Sequence, residues 1–287
     1  MVTMGLLTFI VLGLLAMFHQ TQRAFRSSMT QSDLMEGARS TTDIVTREVE
    51  QMTPSHYPDM VVNGIVRRAT NFFVQPAPGF PAHWEQNLPG TTLVRTNIVQ
   101  QFFFLTRLDQ DWIGTGYLVL PDDANNPMVG TLYRFCTTNS PRSGPINVSS
   151  NFLNPLPWQL YRIAEGVVHL RVIPYAPTGF PIVSDGLTTW ALVRRNAWTN
   201  DYARIPQAVV TANPALPGAW QACYFVHDAV PGFVEIELGM LEPQILQRYR
   251  SIPVPTAARQ YLEAHAAQVH IFRQRIPVRN VDITAYP

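Results

Sequence analysis

The chain opens with an apolar run, and helix-compatible sequence continues from it without a break. Residues 5–18 are apolar or glycine apart from one threonine, and no proline occurs before Pro54. The pattern predicts a single helix from about Met4 to Met52. Such a helix would be ~75 Å long at 1.5 Å per residue. Because a domain of this size does not bury a rod of that length, part of the helix must find another environment.

The two halves of the predicted helix differ. Up to Phe18 apolar residues surround the helix, as in a membrane helix or a bundle core, whereas beyond Arg23 they form one stripe at spacings of three and four. The stripe that we expect to pack on a domain consists of Met35, Ala38, Thr42, Val45, Val49 and Met52. The expected outer face carries Glu36, Arg39, Asp43, Arg47 and Glu48. We divide the chain into a membrane-embedded half (1–22), an amphipathic half (23–53) and a globular domain (54–287).

The charges around the apolar run do not fit a simple membrane anchor. No Lys or Arg precedes it while Arg23 and Arg26 follow it, so the positive-inside rule would place the C-terminal part in the cytoplasm. Residues 15–19 do not place small residues at both A-x-A positions of a signal-peptidase site. At about seventeen residues the run is also short for a span. All three mismatches disappear if the natural chain starts upstream of Met1.

After Pro54 we expect a loop-rich stretch, which contains Pro58, Pro76, Pro78, Pro81 and Pro89. The pattern then changes to short strands separated by proline, glycine and asparagine, which favours an antiparallel sheet. Residues 101–107 and 112–120 flank a short turn and predict a hairpin. Further strands are expected over 130–135, 167–175, 233–239 and 269–276. One short helix is expected over 257–267, capped by Thr256. The predicted fold class is α+β: a long N-terminal helix packed on an antiparallel β-sheet, with one short C-terminal helix.

The amino-acid composition limits the classes of partner that we expect for this protein. The chain has 287 residues, of which 46% are hydrophobic and 14% charged, and its net charge is +1. Near-neutral charge argues against a nucleic-acid surface. The two cysteines, Cys136 and Cys223, lie in strand-like surroundings. An oxidising compartment would permit a disulfide between them, and two buried free thiols are the alternative.

Candidate catalytic and metal-binding residues do not form a recognised motif. The seven histidines are scattered and no H-E-x-x-H, G-x-S-x-G, Walker or Rossmann pattern occurs, so we predict neither an enzyme nor a cofactor. One loop clusters oxygen ligands suited to calcium, although it lacks the EF-hand spacing, and a solvated turn is the simpler interpretation. Its residues are Asp122, Asp123, Asn125 and Asn126.

The N-terminal segment resembles the N-terminal helix of type IV pilin-like proteins, in residues 4–15, 23–25 and 46–52. Within that superfamily, residues 164–172 and 230–238 are similar to core strands of the J-type minor pseudopilins of type II secretion. The basic leader, the Gly-Phe cleavage point and the early glutamate of such proteins are missing here. The resemblance therefore implies that this sequence begins near the second turn of the helix.

The resemblance implies a structural subunit of a pilus-like filament, a minor pseudopilin in a tip complex, held in the bacterial inner membrane with its domain in the periplasm. Its partners would be other pilin-like subunits, membrane lipid before assembly, and secreted cargo. Cargo or subunits would meet exposed tryptophans among Trp84, Trp112, Trp158, Trp198 and Trp220, although we expect at least three of the five in the core. The residues expected to pack helix against helix are Gly5, Leu6, Phe9, Leu12, Gly13 and Ala16.

Two alternatives remain from sequence. One is a membrane-anchored extracytoplasmic binding module or enzyme with a β-rich domain, and the other is a minor pilin of a type IV pilus. The amphipathic continuation after Phe18 favours a filament subunit, because a simple anchor would normally lead into a flexible linker.

Overall fold

A computed structural model shows one long helix whose C-terminal half packs on a curled antiparallel sheet. The structure describes residues 2–57, 60–62, 65–67, 69–81, 83–139, 144–146, 148–182, 191–194, 205–212 and 221–283.

Four α-helices and fourteen strands make up the described part of the chain. The helices are α1 (Val2–Val49), α2 (Val148–Leu153), α3 (Pro243–Arg250) and α4 (Pro255–Ala264). The first seven strands are β1 (Met60–Val62), β2 (Ile65–Arg67), β3 (Thr70–Pro76), β4 (Trp84–Asn87), β5 (Val94–Asn97), β6 (Gln100–Leu108) and β7 (Asp111–Pro121). The remaining strands are β8 (Gly130–Asn139), β9 (Leu160–Tyr175), β10 (Ala191–Arg194), β11 (Ile205–Ala212), β12 (Gln221–Val226), β13 (Phe233–Leu241) and β14 (Val269–Pro277).

Ten strands form the main sheet, in the order β10-β11-β12-β3-β6-β7-β8-β9-β13-β14, and every neighbouring pair is antiparallel. The two further sheets are the pairs β1-β2 and β4-β5. The main sheet curls so that the residues just before β6 reach β9: the N–H of Leu170 donates to the carbonyl of Ile98 at 2.8 Å, and Val99 forms a parallel bridge with Leu170. This curl wraps the sheet around α1.

The central strands are buried on both faces, which explains their nearly continuous apolar sequence. On β6, Phe102 and Phe104 join the core beneath α1, whereas Phe103 and Leu105 join a second core beneath α2. Helix α2 approaches β7 closely because glycine stands there: a Cβ on Gly116 would lie 2.3 Å from a ring atom of Phe152. Both faces of the middle of the sheet are therefore covered.

A third core lies at one end of the sheet. Helices α3 and α4 pack with β4 through Leu246, Leu262 and Trp84. Helix α4 begins with Pro255 at its first turn, where the missing N–H of proline has no cost, and the residue before it, Val254, is the N-cap. The prediction that Thr256 caps this helix is therefore wrong.

The predicted hairpin and the predicted later strands are confirmed, as β6–β7, β8, β9, β13 and β14. The predicted fold class, α+β, is wrong in the proportion of helix to strand in the domain. The domain is mainly β, and α2 and α3 accompany the one short helix that was expected. Strand β3, in the stretch expected to be a loop, pairs with both β6 and β12. Its proline, Pro76, terminates the strand, so it does not interrupt the pairing.

Among the described residues, no helix is apolar over a length sufficient to cross a membrane.

Candidate assembly surface on the N-terminal helix

The C-terminal half of α1 is held by the curled sheet. Its contact stripe has spacings of three and four residues and continues to Met52, three residues beyond the helix end. The buried residues of the stripe are Leu34, Ala38, Thr41, Val45, Val49 and Met52. Thr41 is compatible with burial because its hydroxyl donates to the carbonyl of Gly37 at 2.8 Å.

The expected packing stripe is close to the observed one. Ala38, Val45, Val49 and Met52 are buried as expected, whereas Met35 remains 42% exposed. The observed stripe instead begins at Leu34, one position earlier. At 100° per residue, Leu34 lies about 20° around the helix from the buried Val45, whereas Met35 lies about 80° from it, so Leu34 is the residue that contacts the core.

Glu48, which the pattern placed on the outer face, points into the domain. Its carboxylate accepts a hydrogen bond from the hydroxyl of Tyr117 at 2.5 Å and forms an ion pair with Arg134 at 2.7 Å. Burial, and then the charge of Glu48, raise the pKa of Tyr117, so this hydroxyl stays a donor. Burial opposes the charge of Arg134, but the hydrogen bond and charge of Glu48 outweigh it and raise the pKa of Arg134. This triad fixes the last turn of α1 on β7 and β8.

The N-terminal half of α1 has no such cover. The large apolar side chains described between residues 10 and 29 are exposed by 48–69%, all around the helix. These exposed residues are Ile10, Val11, Leu12, Leu14, Leu15, Met17, Phe18, Phe25 and Met29. We call residues 10–18 with Phe25 and Met29 the exposed apolar segment. Soluble monomers rarely leave contiguous apolar patches larger than a few hundred Å² exposed, so this segment is suited to contact with another molecule.

The residues expected to pack helix against helix lie along this half. Leu12, Gly13 and Ala16 belong to the exposed apolar segment, and Gly5 is exposed further toward the N-terminus. A Cβ built on Gly5 or Gly13 would meet no atom of the chain within 4 Å. Either position therefore leaves room for the backbone of a neighbouring helix. The side chains of Leu6 and Phe9 lie outside the described residues.

The two cysteines are not brought together. Both are free thiols, Cys223 buried on β12 and Cys136 half-buried on β8. The strands β3, β6 and β7 lie between them in the sheet, a separation of roughly 19 Å at 4.7–4.9 Å per strand, whereas a disulfide needs Cα atoms within about 7 Å.

The calcium candidate is a charged turn. Asp122 accepts hydrogen bonds from the hydroxyl of Thr131 at 2.9 Å and from Arg250 at 2.7 Å. Asp123 accepts one from the N–H of Asn125 at 2.9 Å, which is an Asx turn. Within the described ranges, no group of three or more histidine, cysteine or acidic side chains is placed to hold a metal ion.

The tryptophans divide between core and surface. Trp84 and Trp112 are buried, and Trp158 is 72% exposed. Trp198 and Trp220 lie outside the described residues.

Among the described residues, three histidine–carboxylate pairs were missed from sequence, because each joins separate segments of the chain. In one of them, Nε2 of His270 lies 3.0 Å from Oε1 of Glu242. Nδ1 of His56 lies 2.9 Å from Oδ1 of the buried Asp228, and Nε2 of His169 lies 3.4 Å from Oε2 of Glu237. The hydroxyl of Ser55 donates to the carbonyl of His227 at 3.3 Å. It is not directed at the imidazole of His56, so the neighbouring serine does not complete a nucleophilic triad there.

Comparison of the chain with protein families, with curated proteins and with solved structures finds no match.

Proposed function

We propose that this protein is a non-enzymatic structural subunit that assembles into a pilus-like filament through the N-terminal half of α1. The observation that carries the proposal is the exposed apolar segment, which is apolar on every side of the helix. A helix that packs on one partner needs only one apolar stripe. A helix that is apolar all round fits a position surrounded by several partners, as in the core of a bundle.

The two halves of α1 have different environments, and this difference supports the same proposal. The C-terminal half is fixed to the domain by Val49, Met52 and the Glu48 triad, so the domain holds the exposed half in one direction. A rigid continuation of the helix costs less entropy on assembly than a flexible linker would. Identical subunits that present the same helix in the same direction can pack repeatedly, which produces a ring or a filament.

The finer proposal rests on the resemblance of residues 4–52, 164–172 and 230–238 to pilin-like proteins and J-type minor pseudopilins. We propose a place in the tip complex of a type II secretion filament. There the exposed segment would pack against the equivalent helices of other minor subunits.

The experiment that tests assembly is site-directed cysteine cross-linking of the full chain in mild detergent. Single cysteines replace Leu12, Leu14, Leu15 and Met17 in turn, in a Cys136→Ser background, with the buried Cys223 left in place. Because successive residues are 100° apart, these positions sample different sides of the helix. Assembly around the whole helix predicts cross-linked species from all four positions, including products larger than dimers when two positions are combined.

The matched control is Arg39→Cys, which lies on the exposed side of the half that the sheet holds. We expect little cross-linking there, since the globular domains keep these turns apart. Cross-linking that is restricted to one side of the helix would indicate a simple dimer, and equal cross-linking of Arg39→Cys would indicate random collision. Either result would contradict the proposal.

A further inference from the structure

Strand β14 is the last strand of the main sheet, and in the described part of the chain no strand pairs with its outer edge. It pairs with β13 without a bulge, from Val269 opposite Leu241 to Pro277 opposite Phe233. A long, regular free edge presents unpaired backbone N–H and C=O groups, which can pair with a strand of another chain.

Two hydrogen bonds beyond the ends of this ladder show which residues face outward. The N–H of Val278 donates to the carbonyl of Gly232 at 3.0 Å, and the N–H of Glu242 donates to the carbonyl of Gln268 at 3.2 Å. Because backbone groups alternate along a strand, the even-numbered residues of β14 point toward β13. Ile271, Arg273 and Arg275 therefore direct their N–H and C=O groups to the free edge. Pro277 falls in the same set, where its missing N–H breaks no bond within the sheet.

A groove of about 900 Å³ runs beside this edge, between β14 and the middle of α1. Its α1 wall includes Met35, Glu36, Arg39 and Asp43, and its sheet wall is formed by residues 271–274. The free edge is a property of the strand pairing, and the groove is a property of the surface shape. They coincide at the same place, where an extended chain would pair with β14 and lie against α1.

The side chains of β14 define what such a chain should carry. Phe272 packs against the core that contains Val45 of α1, so the face of β14 toward α1 is partly apolar. Arg273 and Arg275 alternate with it and lie on the opposite face. Arg273 pairs with Glu235 and Glu237 of β13, yet its side chain remains 64% exposed. Arg275 stacks on Tyr175, with its guanidinium carbon 4.2 Å from the ring centroid.

We propose that the free edge of β14 binds an extended segment of a different polypeptide by strand addition. The segment carries acidic residues at alternate positions, opposite Arg273 and Arg275, and apolar residues between them, facing Phe272 and Met35. Opposite charges across neighbouring strands stabilise the pair, and like charges destabilise it. A second copy of β14 is disfavoured, since symmetric antiparallel pairing over the whole strand, Val269–Pro277, would place Arg273 opposite its own copy. This site shares no residue with the exposed apolar segment and does not rest on the proposed assembly.

The probe is a fluorescein-labelled peptide of alternating glutamate and valine with the length of β14, titrated by fluorescence anisotropy against the full chain in mild detergent. Two control peptides are matched to it. The first has lysine in place of glutamate, and the second carries N-methyl groups on the alternate amides that would donate to β14. We expect each control to bind at least roughly tenfold more weakly, from charge and from lost backbone hydrogen bonds respectively.

Substitutions at two positions test the location of the binding site. Ile271→Pro removes an outward N–H, whereas Ile271→Ala removes the same side chain and keeps that N–H. We expect Ile271→Pro to weaken glutamate-peptide binding roughly tenfold relative to Ile271→Ala. Arg275→Glu should reverse the preference, so that the lysine peptide binds more tightly than the glutamate peptide. Thermal unfolding of each variant establishes that it is folded before titration.

Equal binding of the glutamate and lysine peptides, or undiminished binding of the N-methylated peptide, would overturn the proposal. So would a concentration-dependent dimer of the full chain that Ile271→Pro converts to a monomer and Ile271→Ala does not, because the occupant of the edge would then be a second copy. Since the titrations do not depend on cross-linking through residues 12–17, failure of this site and failure of the proposed assembly are distinguishable.

Discussion

The two halves of α1 are one continuous helix in two different environments. Val45 and Val49 in the C-terminal half are at most 5% exposed, whereas Leu12 and Leu15 in the N-terminal half are at least 50% exposed. The difference does not lie in hydrophobicity, because the exposed half is the more apolar of the two. It lies in whether the chain itself provides a complementary surface. The curled sheet does so for one half, and we propose that other subunits do so for the other.

The largest expected effect comes from a charge in the buried half. Val49→Asp buries a carboxylate without a partner and should cost on the order of 3–5 kcal/mol of unfolding free energy. Val45→Asp should act in the same direction. The loss of unfolding free energy can be measured by urea unfolding, followed by the fluorescence of the buried Trp84 and Trp112.

The matched control for this comparison is Leu12→Asp in the exposed half. It should leave the unfolding free energy within about 0.5 kcal/mol of that of the parent and weaken only association. A similar loss of stability from Leu12→Asp and Val49→Asp would show that the two halves are not distinct in the way described.

A smaller effect is expected from the polar contact that orients the end of α1. Glu48→Ala leaves Arg134 without its carboxylate and the buried hydroxyl of Tyr117 without its acceptor, at a cost of about 2 kcal/mol. Arg39→Ala, on the exposed side of the same helix, should change stability by less than about 0.5 kcal/mol. Equal effects of the two substitutions in urea unfolding would mean that the triad does not fix the helix.

Acid should loosen the sheet that holds the buried half. A hydrogen bond from His169, then Arg273 and Arg171, lower the pKa of Glu237 to about 2 against the opposing effect of burial. The stabilisation is complete above about pH 4.5 and is lost as the pH falls through about 2, on the order of 2 kcal/mol. Unfolding free energies measured from pH 5 to 2 should therefore decrease.

The variant Glu237→Gln isolates this carboxylate. It should be less stable than the parent at pH 5, and the difference should narrow toward pH 2. A constant difference over that range would assign the acid sensitivity to other groups.

The smallest difference is expected between two neighbours at the edge of the stripe. Leu34→Ala removes a buried side chain and should cost about 2 kcal/mol, and Met35→Ala, at an exposed position, about 1 kcal/mol less. Chemical unfolding of the two variants side by side gives the ordering. A larger loss of unfolding free energy for Met35→Ala than for Leu34→Ala would instead support the stripe that was predicted from the sequence.

Sequence reasoning was strongest where the signal is periodic and local. The hairpin β6–β7, strand β13 and most of the α1 stripe followed from alternation and from spacings of three and four. It failed where a distant segment decides the environment. Strand β3 was expected to be a loop because of the surrounding prolines, but β6 and β12 supply its hydrogen bonds. Glu48 was expected to face solvent, but Tyr117 and Arg134 approach it from strands about seventy and ninety residues away.

The sequence by itself determined a long continuous helix, because nothing before Pro54 interrupts helical hydrogen bonding, and a sheet-forming remainder, because its apolar residues occur in short runs between turns. Only the tertiary structure decided which part of the helix is covered, how far apart Cys136 and Cys223 lie, and which strand ends the sheet. The physical reason is the distance along the chain over which each interaction acts. Helix and strand formation depend on neighbours within a few residues, whereas burial, strand order and the free edge of β14 depend on contacts between segments that the chain brings together only on folding.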